Sequence, residues 1–244
     1  MIRTDAFTVP PHVRGYPGIA FGGYVAGVLA AASGSTQVRV DFRRGVLVDT
    51  PVVLAADGSG GASLTDLDGA ILAEASPSAV TVTPRPAPTW EQARTASATA
   101  GALRKMSHCY GCGAACAPGR GLRLSPWAMS AHDMVIAAWT PDPLLAGPDG
   151  YLPTENVWAA LDCPGGWAAM ALRDLRPGAV TAALTATQFE PVRAGDPYVS
   201  YGWPVSADGR KHTVGVALAR ADGTLCALAE ALWIEPRQPL PFEW

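Results

Sequence analysis

The sequence predicts an α+β protein in which one apolar helix and one antiparallel meander occur twice. Three observations carry this expectation. A Gly-Gly pair, an aromatic residue and an alanine-rich apolar run occur at Gly22-Gly23-Tyr24 and again at Gly165-Gly166-Trp167. The segment "FRRGVLVDTPVVL" from Phe42 has a counterpart in "FEPVRAGDPYVSY" from Phe189, which sets Asp49 opposite Asp196. The segment "LDGAILAEA" from Leu67 has a counterpart in "ADGTLCALAEA" from Ala221, in the same order along the chain.

The first helix starts at Gly22 and fades at the Ser-Gly-Ser run from Ser33. It is apolar nearly all round, so it must be wrapped on every side. Strands follow: "QVRVDF" from Gln37 alternates, and so does "VVLAA" from Val52. Asp68-Gly69 reads as a tight hairpin turn. A proline-rich stretch from Thr81 then leads into a short helix over Glu91–Lys105 and a cysteine cluster. The second apolar helix runs from Pro164 to Arg176 and stops at Pro177-Gly178. The runs from Tyr198, His212 and Leu225 are strands, with Asp222-Gly223 as the matching hairpin turn. The chain divides into a first repeat over 1–83, a Pro- and Cys-rich crossover over 84–125, and a second repeat over 126–244. A buried helix wrapped by a curved antiparallel meander is the hotdog arrangement. Two such units, with two central helices, make a double hotdog whose halves pair as two single units would.

The composition restricts the partners. The chain of 244 residues carries a net charge of −3, with 49% hydrophobic and 16% charged residues. That balance gives no global attraction to nucleic acid or to an anionic membrane surface. No uninterrupted apolar run is long enough to span a bilayer, and "MIRTDAFTVPPH" lacks the layout of a signal peptide. A cytoplasmic location is expected, with a homodimer left open.

A helix N-terminus leaves backbone N–H groups without intrahelical partners, and they carry partial positive charge. Inside a wrapped sheet, a ligand carbonyl or the oxyanion formed from it can satisfy them. Glycine lets that atom approach the backbone. Gly22, Gly23, Gly165 and Gly166 are therefore candidate binding residues, and close helix packing is the alternative for each pair. Asp162, just before the second pair, is a candidate general base, or a simple helix cap.

The residues also resemble a known family. "FGGYVAG" from Phe21 resembles the helix-entry motif of the acyl-CoA thioesterase II family, which are double hotdog enzymes. "VDFRRG" resembles the strand that follows in that family, with Arg44 where proline is usual. "WAALDCPGGWAAMAL" resembles the segment in which an aspartate precedes the second central helix. The resemblance implies that Asp162 activates water and that Gln188 and Glu230 support it. In the family the supporting glutamine lies on the last strand, where this chain has Ala229 and Glu230. It further implies an acyl-CoA or related thioester bound at Gly165-Gly166, with the acyl chain beside Trp158 and Trp167. No cofactor is implied. A binding protein without catalysis is the rival expectation.

His108, Cys109, Cys112 and Cys116 supply four potential zinc ligands in one short run. Zinc sites usually join two separated pairs, so a structural knuckle is the primary reading, with zinc and redox chemistry left open. Cys163 reads as a small buried filler.

Overall fold

The alternating run from Gln37 puts Val38 and Val40 on one face, and that face is the buried one. The same logic builds the rest of the sheet. The computed structural model describes residues 3–103 and 107–237. The first half contains β1 (Arg3–Thr8), β2 (Arg14–Tyr16), β3 (Ile19–Ala20), α1 (Gly22–Ser33), β4 (Gln37–Phe42), β5 (Pro51–Ala56), β6 (Ala62–Thr65) and β7 (Ile71–Pro77). Helix α2 (Trp90–Leu103) follows. The second half contains β8 (Trp127–Met129), β9 (Met134–Trp139), α3 (Thr154–Ala160), α4 (Cys163–Arg173), β10 (Val180–Gln188), β11 (Tyr198–Asp208), β12 (Lys211–Arg220) and β13 (Leu225–Ile234).

Eleven strands form one antiparallel sheet in the order β1-β5-β6-β7-β4-β10-β13-β12-β11-β9-β8. Each half contributes one unbroken block. The blocks join where β4 pairs with β10, with Val40 opposite Leu184 and Val38 opposite Ala186. Helix α1 lies on the first-half strands and α4 on β9, β11 and β12. Both foreseen hairpins form, and each needs its glycine: Gly69 sits at φ 85° and Gly223 at φ 91°.

Two expectations are corrected in detail, and the structure adds the packing of the crossover and one further helix. Helix α4 ends at Arg173, capped by Asp174 in the left-handed region at φ 55°, rather than at Arg176. Arg176 instead turns to Glu235, donating from Nε to Oε2 at 2.7 Å. The structural counterpart of Asp49 (φ 56°) is Gly195 (φ 84°), one residue before the Asp196 foreseen, since each stands two residues before an equivalent proline, Pro51 or Pro197. The crossover is packed against both faces of the sheet. Ala93 and Ala96 of α2 bury against Ile136, Tyr201 and Trp203 on the outer face of the sheet, while Tyr110, Leu122 and Leu124 enter the main core. The C-terminal end of the helix expected at Lys105 lies outside the described residues. Finally, α3 was not foreseen, and it is the element that α1 packs against.

Candidate functional site

Helix α1 begins at Phe21, whose side chain cannot cap it. Its exposed amides are met from the other half of the chain. Asp162 Oδ2 accepts a hydrogen bond from Gly23 N at 2.7 Å, across 139 residues of sequence. Asp162 Oδ1 accepts one from Thr181 Oγ1 at 2.7 Å. The Asp162 side chain makes no capping bond to α4, the helix it precedes. It caps α1 instead, where the helix dipole favours a carboxylate.

Asp162 is 1% exposed. Burial raises its pKa to about 6, and the hydrogen bonds from Thr181 and Gly23 restrain the rise. Tyr16 borders the same site: burial, then Cys109, Cys163, Asp162 and Cys112, push its phenol well up. Its hydroxyl donates to Ala179 O at 2.5 Å. Gly22 completes the head of α1. A Cβ there would stand 3.3 Å from Asp162 Oδ2 and 3.4 Å from Thr181 Oγ1, so the glycine leaves a gap facing both groups. Among the described residues, no hydrogen bond is made to Gly22 N–H.

The sequence points to a helper for Asp162 at Gln188, at the far end of β10, whereas the structure supplies Thr181 at its start. The signal was the start of β10 itself, directly after the turn that returns the chain from α4. Thr181→Val should keep the shape but leave Oδ1 of a buried carboxylate without that donor. We expect a loss of about 1–3 kcal/mol in urea denaturation.

Gly165 and Gly166 are placed differently from the expectation. Their N–H groups point back to Asp162 O, at 3.1 and 3.3 Å. A Cβ at Gly165 would lie 2.8 Å from Val214 and Val216, and one at Gly166 would lie 2.7 Å from Trp233. This helix head is a packing contact against β12 and β13, with its amides already engaged, and it offers no room for a ligand carbonyl.

Gln188 and Glu230 are not brought to Asp162. Gln188 ends β10, seven residues from Thr181, which in a strand is roughly 23 Å. Its Nε2 donates to Glu190 O at 3.1 Å. It lines a groove of about 400 Å³ near the C-terminal end of α1, together with Ala30, Gly34, Thr154, Trp158 and Phe189. Glu230 lies between Ala229 and Ala231, which face the helices, so alternation sends it to the outer face. There it accepts a hydrogen bond from Thr81, at the end of the first repeat. Trp158 is buried beside that distant groove, and Trp167 is half-buried against the main core.

No family model matches the sequence, and no curated protein matches it. Solved structures match closely in shape. The tesB protein of Mycobacterium avium subs paratuberculosis superposes with a TM-score of 0.63 at 14% identity, over 96% of this chain and 93% of that one. A conserved protein with a hot dog fold from Alicyclobacillus acidocaldarius gives 0.62 at 14% identity, over 98% and 94%. A provisionally named oleoyl thioesterase from Lactobacillus plantarum gives 0.60 at 12% identity, over 98% and 97%. At such identities the likeness is one of fold. No helix among the described residues is long and apolar enough to cross a membrane. The chain carries the hotdog fold.

Proposed function

We propose that the protein is a double hotdog hydrolase of acyl thioesters, acyl-CoA foremost, and that the reaction takes place at the head of α1. The observation that carries this reading is Asp162, a buried carboxylate held by Thr181 Oγ1 and Gly23 N. The duplication is supported by two short bridges at matching places, Ile19 to Leu47 and Tyr151 to Arg193. The names borne by similar folds point to thioesters as the substrate class.

In this reading the thioester oxygen accepts from Gly22 N–H, where the α1 dipole favours developing negative charge. Each carboxylate oxygen has two lone pairs, so Asp162 keeps acceptor capacity for a water. The carboxylate takes a proton from that water as the oxygen attacks the carbonyl carbon. The tetrahedral intermediate then collapses and the carbon–sulfur bond breaks. The departing thiolate recovers the proton from Asp162, which leaves a carboxylic acid product and a free thiol. Gly165 and Gly166 have no role beyond packing.

One observation favours a binding protein without catalysis: both oxygens of Asp162 already accept protein donors. Thiol release from a panel of acyl-CoAs, followed with a chromogenic thiol reagent, separates the two readings. The hydrolase releases one thiol per acyl-CoA consumed. Saturable binding with no thiol release across the panel would leave only the binding protein.

A further inference from the structure

The cysteine run and Asp162 share one end of the molecule, and the mechanism above makes no use of the thiols. None of the five cysteines is in a disulfide. Three of them converge: the Sγ atoms of Cys109, Cys112 and Cys163 all lie within 4.8 Å of one another. Cys109 and Cys163, 54 residues apart in sequence, stand 3.7 Å apart at sulfur. A disulfide requires about 2.05 Å. Two thiolates on one tetrahedral zinc, each at about 2.3 Å, stand about 3.8 Å apart. The spacing is that of ligands around a common centre.

The backbone is shaped to bring the sulfurs together. The Cys109–Cys112 turn closes with Gly113 N donating to Cys109 O at 2.7 Å. A Cβ at Gly113 would lie 2.5 Å from that same oxygen, so the tight turn depends on glycine. A Cβ at Gly111 would lie 2.6 Å from Cys163 Sγ, so a second glycine clears the path for the third sulfur. The backbone N–H of Cys112 also points to Cys109 Sγ, as an outer hydrogen bond to a metal-bound thiolate does. Farther out, Tyr110 Oη donates to Asn156 Oδ1 at 2.6 Å, fixing the turn to α3.

We propose that Cys109, Cys112 and Cys163 form a three-thiolate zinc site that fastens the crossover to the head of α4. Soft thiolates suit this cation over magnesium or calcium. The second ligand arm, which the sequence run alone lacked, is Cys163. The other residues of that run stay out of the set: His108 is exposed, and Cys116 turns its Sγ to Cys109 O at 3.5 Å. The fourth coordination position is left for water or an exogenous group.

The test reads metal rather than activity, so it is independent of the hydrolase reading. The full chain is purified under reducing conditions without chelator and its zinc is measured by plasma mass spectrometry. One zinc per chain is expected. It should be lost in Cys112→Ser and in Cys163→Ser, and kept in Cys226→Ser, whose sulfur lies in another part of the core. Cobalt(II) added to metal-free wild-type protein covers the case in which a variant fails to fold. It should produce thiolate-to-cobalt charge-transfer bands in the near ultraviolet. Absence of those bands, zinc kept by both ligand variants, or a Cys109–Cys163 disulfide in the purified chain would each overturn the proposal.

Discussion

Gly27→Ala is expected to destabilise the protein by about 3 kcal/mol or more, the upper end of what overpacking costs. A Cβ at Gly27 would stand 2.3 Å from Glu155 Cα, and 3.0 Å from both Glu155 N and Thr154 O. These are backbone atoms, with no rotamer to turn into, so α1 and α3 would have to separate. Gly23 makes the same kind of contact one turn earlier, with Asp162 Cβ at 2.6 Å and Ala159 Cα at 2.9 Å. The two glycines thus form one flat strip of α1 along which α3 lies. Alanine normally gains about 1 kcal/mol over glycine inside a helix, which does not offset a backbone clash. Gly101 in α2 is the control, because nothing lies within 4 Å of its added Cβ. Gly101→Ala should show that gain, and urea denaturation should move the two variants in opposite directions. A Gly27→Ala protein as stable as wild type would mean that the two helices do not cross here.

Asp162→Asn is expected to lower thioester hydrolysis by about 10²–10⁴-fold, the usual contribution of a positioned general base. The substitution suits the test because it spares the local hydrogen bonds. An asparagine oxygen accepts from Gly23 N–H, and its amide donates to Thr181 Oγ1, since a hydroxyl can accept as well as donate. Folding should therefore survive while proton acceptance is lost. Asp162→Ala differs: it removes both bonds, strands a buried N–H at the head of α1, and should cost about 1–3 kcal/mol in stability. Circular dichroism melts of the two variants, set beside their thiol-release rates, separate loss of the base from loss of the fold. Unchanged hydrolysis by Asp162→Asn would remove Asp162 from the chemistry.

Local signals in the sequence suffice for α1, α4 and the two Asp-Gly hairpins, and are insufficient for α3 and for how the two halves meet. The start of α1 at Gly22 and its end near Ser33 follow from an apolar run closed by Gly34 at φ 70°. The Asp-Gly turns locate two hairpins without any tertiary information. Asp162 was singled out because it precedes a glycine-headed helix, but the helix that it caps lies 139 residues earlier. That bond depends on α3 carrying Asp162 across α1, and α3, at seven residues, is too short for a clear periodic signal. For Glu230, alternation between alanines already favours the solvent face, and only the family resemblance draws it toward Asp162. The pairing of β13 with β10 and β12 keeps it on the outer face. Cys163 passed for a core filler because its partners lie in the crossover. The glycine pairs were read as ligand seats, yet three of the four glycines are where a neighbouring helix or strand comes closest.

In the proposed reaction the head of α1, and not that of α4, receives the thioester carbonyl. A crystal structure of the Asp162→Asn protein soaked with a short acyl-CoA tests it most directly. The carbonyl oxygen is expected within hydrogen-bonding distance of Gly22 N, with its carbon facing residue 162. Density for the thioester at Gly165-Gly166, or only in the groove beside Trp158 and Gln188, would contradict it.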